Sequence, residues 1–210
     1  MVATKLYVEG GGDSNALRTR CREGFSMFLE KAGLEGRMPR IVACGTRGKA
    51  YDHFCTALRQ RGSGEFVVLL VDSEEPVPPG AGPWKLLSGR TGDKWDKPAG
   101  AADDDVHLMV QCMEAWFLAD KDALARYYGQ EFTAAALPAN PNPEQIPKDD
   151  VLRGLENATR HTQKGKYSHG TPSFQILALI DPSKVENASP HASRFLDHLL
   201  NSPSPETCIT

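Results

Sequence analysis

At 210 residues, with 40% hydrophobic and 24% charged side chains, the chain has the makeup of one globular unit with an appendage, which excludes a disordered chain and a fibrous repeat. No apolar run approaches the roughly 20 residues a membrane helix needs, and the N-terminus lacks a basic-then-apolar leader, so a cytoplasmic protein with no membrane partner is expected. A net charge of −3 means that any nucleic-acid partner has to be met by a local basic patch.

In chain order, Lys5 to Glu9 reads as a strand, the following glycines as a tight turn, and Asp13 or Ser14 as the cap of a helix running to about Ala32. Leu17, Cys21, Phe25, Phe28 and Leu29 give that helix one apolar face, with Arg18, Arg20 and Arg22 mostly on the other. Arg40 to Cys44 is a second strand. Lys49 to Arg61 is a second helix with Tyr51, Phe54, Cys55 and Leu58 inward, and Phe66 to Val71 is the clearest strand. This β-α-β-α-β order favours a parallel sheet with helices on its faces. From Ser73 to Asp104 the composition turns to Pro, Gly, Asp and Lys, which reads as one long loop anchored by Trp84 and Trp95. His107 to Gln111 is a fourth strand, and Met113 to Asp120 switches to a helical pattern that continues to Tyr128. A Pro-rich connector, Leu137 to Pro147, leads into a helix around Asp149 to Thr159, two more helices over Ser173 to Ile180 and Ser189 to Leu200, and a loose tail from Ser202. The expected division is therefore an α/β domain over 1–136, with the long loop 73–105, and a helical extension over 137–210 packed on it. Five cysteines, at 21, 44, 55, 112 and 208, form no C-x-x-C pair and are expected as free thiols.

Two of these strands end in carboxylates. Leu6-Tyr7-Val8 runs into Glu9, and Phe66 to Val71 runs into Asp72-Ser73-Glu74. In an open parallel sheet ligands gather at the carboxyl ends of the strands, so Glu9, Asp72 and Glu74 are expected to converge there. Two like-charged clusters brought together repel unless a cation or bound protons offset them, and hard divalent cations such as Mg2+ or Mn2+ take oxygen ligands. Glu114 follows the fourth strand and is a candidate further ligand, against plain charge complementarity at a helix N-terminus. Asp120 reads more simply as the cap of the helix starting at Lys121, and Asp103, Asp104 and Asp105 as a solvated turn. Arg47 and Lys49, on the same sheet edge, are candidate phosphate contacts. So is the stretch from Arg160 to His169, in which Arg160, Lys164 and Lys166 would neutralise phosphates, Tyr167 would stack on a base and His169 would donate a proton. No Walker loop, dinucleotide fingerprint or nucleophile elbow is present.

Val8-Glu9-Gly10-x-x-Asp13 resembles the first motif of TOPRIM domains, found in topoisomerases, primases and overcoming-lysogenization-defect nucleases. Asp72-x-Glu74 resembles their acidic D-x-D motif, with Glu in place of the second Asp. The whole chain is similar to an uncharacterised bacterial TOPRIM-like family often encoded beside ATPases in phage-defence neighbourhoods, through these motifs and through Glu114 to Asp120, Ser173-Phe174 and Ile180-Asp181-Pro182. The resemblance implies an α/β, TOPRIM-like fold, with a mostly parallel sheet of about four strands, helices on both faces and a helical C-terminal extension. It further implies catalytic and metal-binding roles for Glu9, Asp72 and Glu74. The function expected from it is metal-dependent cleavage of DNA or RNA, with an ATPase as possible protein partner. A non-catalytic partner module of an ATPase and a small-molecule phosphohydrolase are the alternatives.

Overall fold

The computed structural model describes residues 3–202. The tail expected beyond Ser202, with Cys208, lies outside them. Four strands, β1 (Ala3–Gly11), β2 (Arg40–Gly45), β3 (Glu65–Asp72) and β4 (Val106–Met109), form one sheet in the order β2-β1-β3-β4. Every pairing is parallel. The cause is legible in the strand residues. Leu6, Val8, Val68 and Leu70 are buried in a core on one face, and Val67, Leu69 and Val71 in a second core on the other. A sheet covered on both sides is built from continuous apolar runs, and β3 is such a run.

The second core is closed by two helices, α2 (Arg47–Gln60) through Ala50, Phe54 and Leu58, and α3 (Pro83–Gly89) through Trp84 and Leu87. Helix α3 and a 3₁₀ turn at Asp103–Asp105 break up the stretch expected as a single loop. Pro83 supplies the missing signal, since its fixed φ suits a first helical turn. Trp84 and Trp95 are both buried, as anchoring requires.

The first core is larger and takes in α1 (Asn15–Leu29), α4 (Lys121–Tyr128), α5 (Lys148–Thr159), α6 (Thr171–Leu179), α7 (Pro182–Ala188) and α8 (Pro190–Asn201). Ser14 caps α1, its hydroxyl accepting from the Leu17 N–H. The segment Met113–Asp120 is 3₁₀ rather than α-helical, and all but one of its residues are buried, so tertiary packing sets its form. Asp120 caps α4 through the Ala123 N–H, as expected. Three C-terminal helices stand where two were expected, because Asp181-Pro182 starts the short α7 with its own side-chain cap. Helix α6 lies so close to α1 that a Cβ on Gly24 would stand 2.6 Å from the Phe174 carbonyl oxygen. That contact fixes the start of α6 beside the carboxyl ends of the strands. Among the described residues no helix is long and apolar enough to cross a membrane.

Candidate active site

Strand β1 leaves the sheet through glycines. Gly11 sits at φ +83° with Arg18 Cα 2.7 Å from where a Cβ would be, and Gly45 at φ +85° with the Gly12 oxygen at 2.3 Å. Only glycine tolerates both the left-handed backbone and the close approach, so the β1–α1 turn folds tightly over the end of β2. Glu9 precedes this turn and Asp72 ends β3, the neighbouring strand. Ser73 and Glu74 continue the β3–β4 ladder by donating N–H bonds to the Met109 and Gln111 carbonyls at 2.9 Å each. Glu74 takes a left-handed φ of 64°, uncommon for a residue with a side chain and a mark of a site held by its surroundings.

Glu9, Asp72 and Glu74 each present a carboxylate oxygen within 4.8 Å of the others. Backbone donors orient two of them: the Asp72 N–H donates to Glu9 Oε2 at 3.2 Å, and the Met113 N–H to Asp72 Oδ1 at 2.9 Å. Two cations flank the group. Lys148, the first residue of α5, places Nζ 2.7 Å from Glu74 Oε2 and 3.6 Å from Asp72 Oδ2. Arg47, the first residue of α2, reaches Glu9 Oε2 at 3.4 Å and donates to the Asp72 carbonyl. Asp93 grips its guanidinium at 2.8 Å and 2.6 Å, and Trp95 packs 4.8 Å from it, stacked in turn on Tyr51.

These surroundings set the protonation of the acids. Burial, ahead of the opposing Arg47 charge, raises the Glu9 carboxyl above its ordinary range. Asp72 is pushed well above its ordinary value by burial and then by the charges of Glu9 and Glu114. Burial works against the Lys148 ammonium, but Asp72 and Glu74 outweigh it and raise its pKa. Glu9, Asp72, Glu74 and Asp93 face three cations, Arg47, Lys148 and Arg90, so one negative charge is left over when all are ionised. The three converging groups are hard oxygen donors. Ligand oxygens on a small divalent ion lie about 3 to 4 Å apart, given metal–oxygen distances of about 2.1 Å, so the trio fits such an ion with a slight closing movement and withdrawal of Lys148.

Two of the three, Glu9 and Asp72, line a cavity of about 350 Å³, together with the Gly10–Gly12 turn, Met113, Glu114, Lys148, His169 and Phe174. Glu114 is outside the converging trio. Its Oε1 accepts from the Tyr167 hydroxyl at 2.7 Å and lies 3.0 Å from His169 Nδ1, and the Tyr167 hydroxyl is also 2.8 Å from Ser173 Oγ. Burial works to raise the Glu114 carboxyl, but His169 and Tyr167 outweigh it and hold it below its ordinary value. The hydrogen bond to Glu114, ahead of the opposing burial, raises the His169 pKa.

The basic stretch is arranged differently from expectation. Tyr167 is 3% exposed, so its ring, buried in the first core, has no face on which a base could stack, and its hydroxyl is spent on a buried carboxylate. Arg160 bonds Asn157, Lys166 pairs with Glu156, and Lys164 lies over the Tyr127 ring, so the three cations are tied to local partners on α4 and α5. Lys49 pairs with Asp13 at the surface, and Arg47 is committed to the acids rather than open to phosphate. Asp103 and Asp104 are surface partners of Lys97 and Arg194.

Lys148 and Asp93 are the site residues that pattern reading passed over. Lys148 left a trace: a lysine in the first turn of a helix opposes the helix dipole, and such a placement asks for an anionic partner. Asp93 left none, being one acid in a long polar stretch.

The strand order and the edge cluster define an α/β protein with a carboxylate-lined cavity at the carboxyl ends of a parallel sheet. The chain belongs to the family described as a domain of unknown function, DUF4276, whose match spans residues 8–200. No curated protein and no solved structure matches it.

Proposed function

We propose that the chain is a TOPRIM-like, divalent-cation-dependent phosphodiesterase of the cytoplasm that cleaves DNA or RNA, working in phage defence beside an ATPase partner. The observation that carries this reading is the approach of Glu9, Asp72 and Glu74 to within 4.8 Å of one another, beside an open cavity that Glu9 and Asp72 line. Glu9, Asp72 and Glu74 would hold Mg2+ or Mn2+, which would neutralise phosphate charge at the site. With the carboxylates so engaged, Lys148 would exchange them for the substrate phosphate. Arg47, fixed by Asp93 and Trp95, holds Glu9 in place through the exchange.

A small-molecule phosphohydrolase is the second reading, favoured by one observation: the cations of the 160–169 stretch have local partners, which leaves no evident track for a long strand. Incubation of the full chain with Mn2+ and plasmid, single-stranded DNA, tRNA or p-nitrophenyl phosphate separates the two. Cleavage of a nucleic acid, reduced about a hundredfold or more in Glu9→Ala and Asp72→Ala, is expected. Equal rates from wild type and both variants would sink the site. Turnover of the small ester alone would select the second reading.

A further inference from the structure

Outside the converging acids, the cavity has a second polar feature that a cation site does not require. His169 is held by its Nδ1 at 3.0 Å from Glu114 Oε1, while its side chain remains 61% exposed on the cavity wall. The Glu114 side chain is only 4% exposed and is pinned from behind by the Tyr167 hydroxyl, itself 2.8 Å from Ser173 Oγ. Imidazole nitrogens point to opposite sides of the ring, so a bond at Nδ1 fixes where Nε2 points. Neutral histidine donates through one nitrogen only, and a carboxylate at Nδ1 sets that tautomer or, on protonation, makes Nε2 a donor as well.

A purely structural account explains less. His169 serves Glu114 through Nδ1 alone, so the fold's need of the imidazole does not account for an Nε2 left on an exposed ring at the cavity wall. A surface histidine, in turn, does not require a buried carboxylate behind it. A buried orienter, a fixed ring and an outward nitrogen form the arrangement that aims a histidine at a ligand. The groups around the ring are Glu114, Tyr167, Lys148 and Glu156. Lys148, which contacts Glu74 and Asp72, lines the same cavity.

We propose that His169, as the imidazolium held through Nδ1–H by Glu114, contacts the substrate phosphate, donating from Nε2 to a phosphate oxygen across the cavity from Glu9 and Asp72, and that Glu114 is its positioning residue. The inference rests on the reading of the cavity as a phosphate site, and it requires no bound cation. Two contacts then fall on the phosphate, Lys148 from the acidic side and His169 with the Tyr167–Glu114 pair as its rigid support. It also redefines the 160–169 stretch: its contribution to substrate binding is one histidine on a buried brace.

The test uses the full chain with 15N-labelled histidine and inorganic phosphate as the probe, without metal. Phosphate is expected to shift the His169 ring nitrogens in wild type. His169→Gln keeps a donor for Glu114 but loses the second nitrogen, and is expected to weaken phosphate binding about tenfold, the equivalent of about 1.4 kcal/mol. Glu114→Gln is expected to move the His169 ring signals before phosphate is added and to weaken binding by a smaller factor, with the melting temperature followed in parallel. Phosphate binding unchanged in His169→Gln, with the His169 signals unmoved in wild type, would overturn the proposal. Manganese binding, measured separately, is expected to be the same in wild type and His169→Gln. Its loss in both would defeat the cation reading while leaving the phosphate response at His169 to be judged alone.

Discussion

Asp72 and Glu114 line one cavity, and both are largely out of water, yet they are held in opposite states. Asp72 is pushed well above the ordinary carboxyl range, while Glu114 is held below it. Burial is the leading influence on each and acts in the same direction on each. Partners make the difference. Asp72 faces other carboxylates, with one lysine 3.6 Å away. Glu114 has a hydroxyl at 2.7 Å and an imidazole at 3.0 Å. One acid is thus satisfied by the fold, and the other waits for a cation or a proton.

The largest expected effect comes from breaking the satisfied side. Glu114→Ala leaves the Tyr167 hydroxyl buried beside a void and removes the brace of His169. A loss of about 3 kcal/mol in unfolding free energy is expected, the scale of a buried polar group stripped of a charged partner. Urea denaturation measures it, and a loss no greater than that of a surface substitution would show that the Glu114 network carries little of the fold.

Filling the unsatisfied side gives the next effect. A cation bound to the folded state alone stabilises it by about 2.7 kcal/mol at a hundredfold excess over its dissociation constant. Mn2+ is therefore expected to raise the melting temperature of wild type by about 5 to 10 °C, and to leave Asp72→Ala unmoved. A shift of the same size in both proteins would place the ion elsewhere.

Much of the unsatisfied side is legible in the sequence, and little of the satisfied side is. Glu9 and Asp72 end apolar runs, and a run buried on both faces announces a strand in a parallel sheet, so their meeting follows from topology. The Glu114–Tyr167 bond joins residues 53 apart through a 3₁₀ segment and a loop, neither of which has a periodicity to read. Tyr167 looked like an exposed aromatic because it stands among lysines and histidines, yet its neighbours in space are Glu114 and Ser173. Helix α7 was readable from Asp181-Pro182, and its seven residues are shorter than a periodic pattern can mark. Arg47 and Lys148 share a further lesson. Each begins a helix, where a cation is disfavoured, and each is placed there by acids that only the folded chain brings near.

The smallest effect has a sign that runs against the usual outcome of changing a buried charged residue. A carboxyl whose pKa is higher in the folded than in the unfolded chain binds its proton more tightly when folded. Its contribution is therefore fully present below the unfolded value, near 3.8 for Asp72, and is lost as pH rises through the folded value. At neutral pH ionised Asp72 works against the fold. Asp72→Asn keeps an oxygen to accept from the Met113 N–H and removes the repulsion from Glu9, so without metal it is expected to melt about 3 °C higher than wild type at pH 7.5. The advantage should shrink toward pH 4 as wild-type Asp72 takes up its proton. Glu114→Gln should behave in the reverse manner. A depressed carboxyl stabilises above its ordinary value of 4.5, and that stabilisation is lost as pH falls through the folded one, so this variant is weaker than wild type at pH 7.5 and approaches it in acid. Melting curves of the three proteins between pH 2.5 and 7.5 check both slopes together, the Asp72 slope above pH 4 and the Glu114 slope below 4.5, and parallel curves would mean that the two acids are in the same electrostatic state after all.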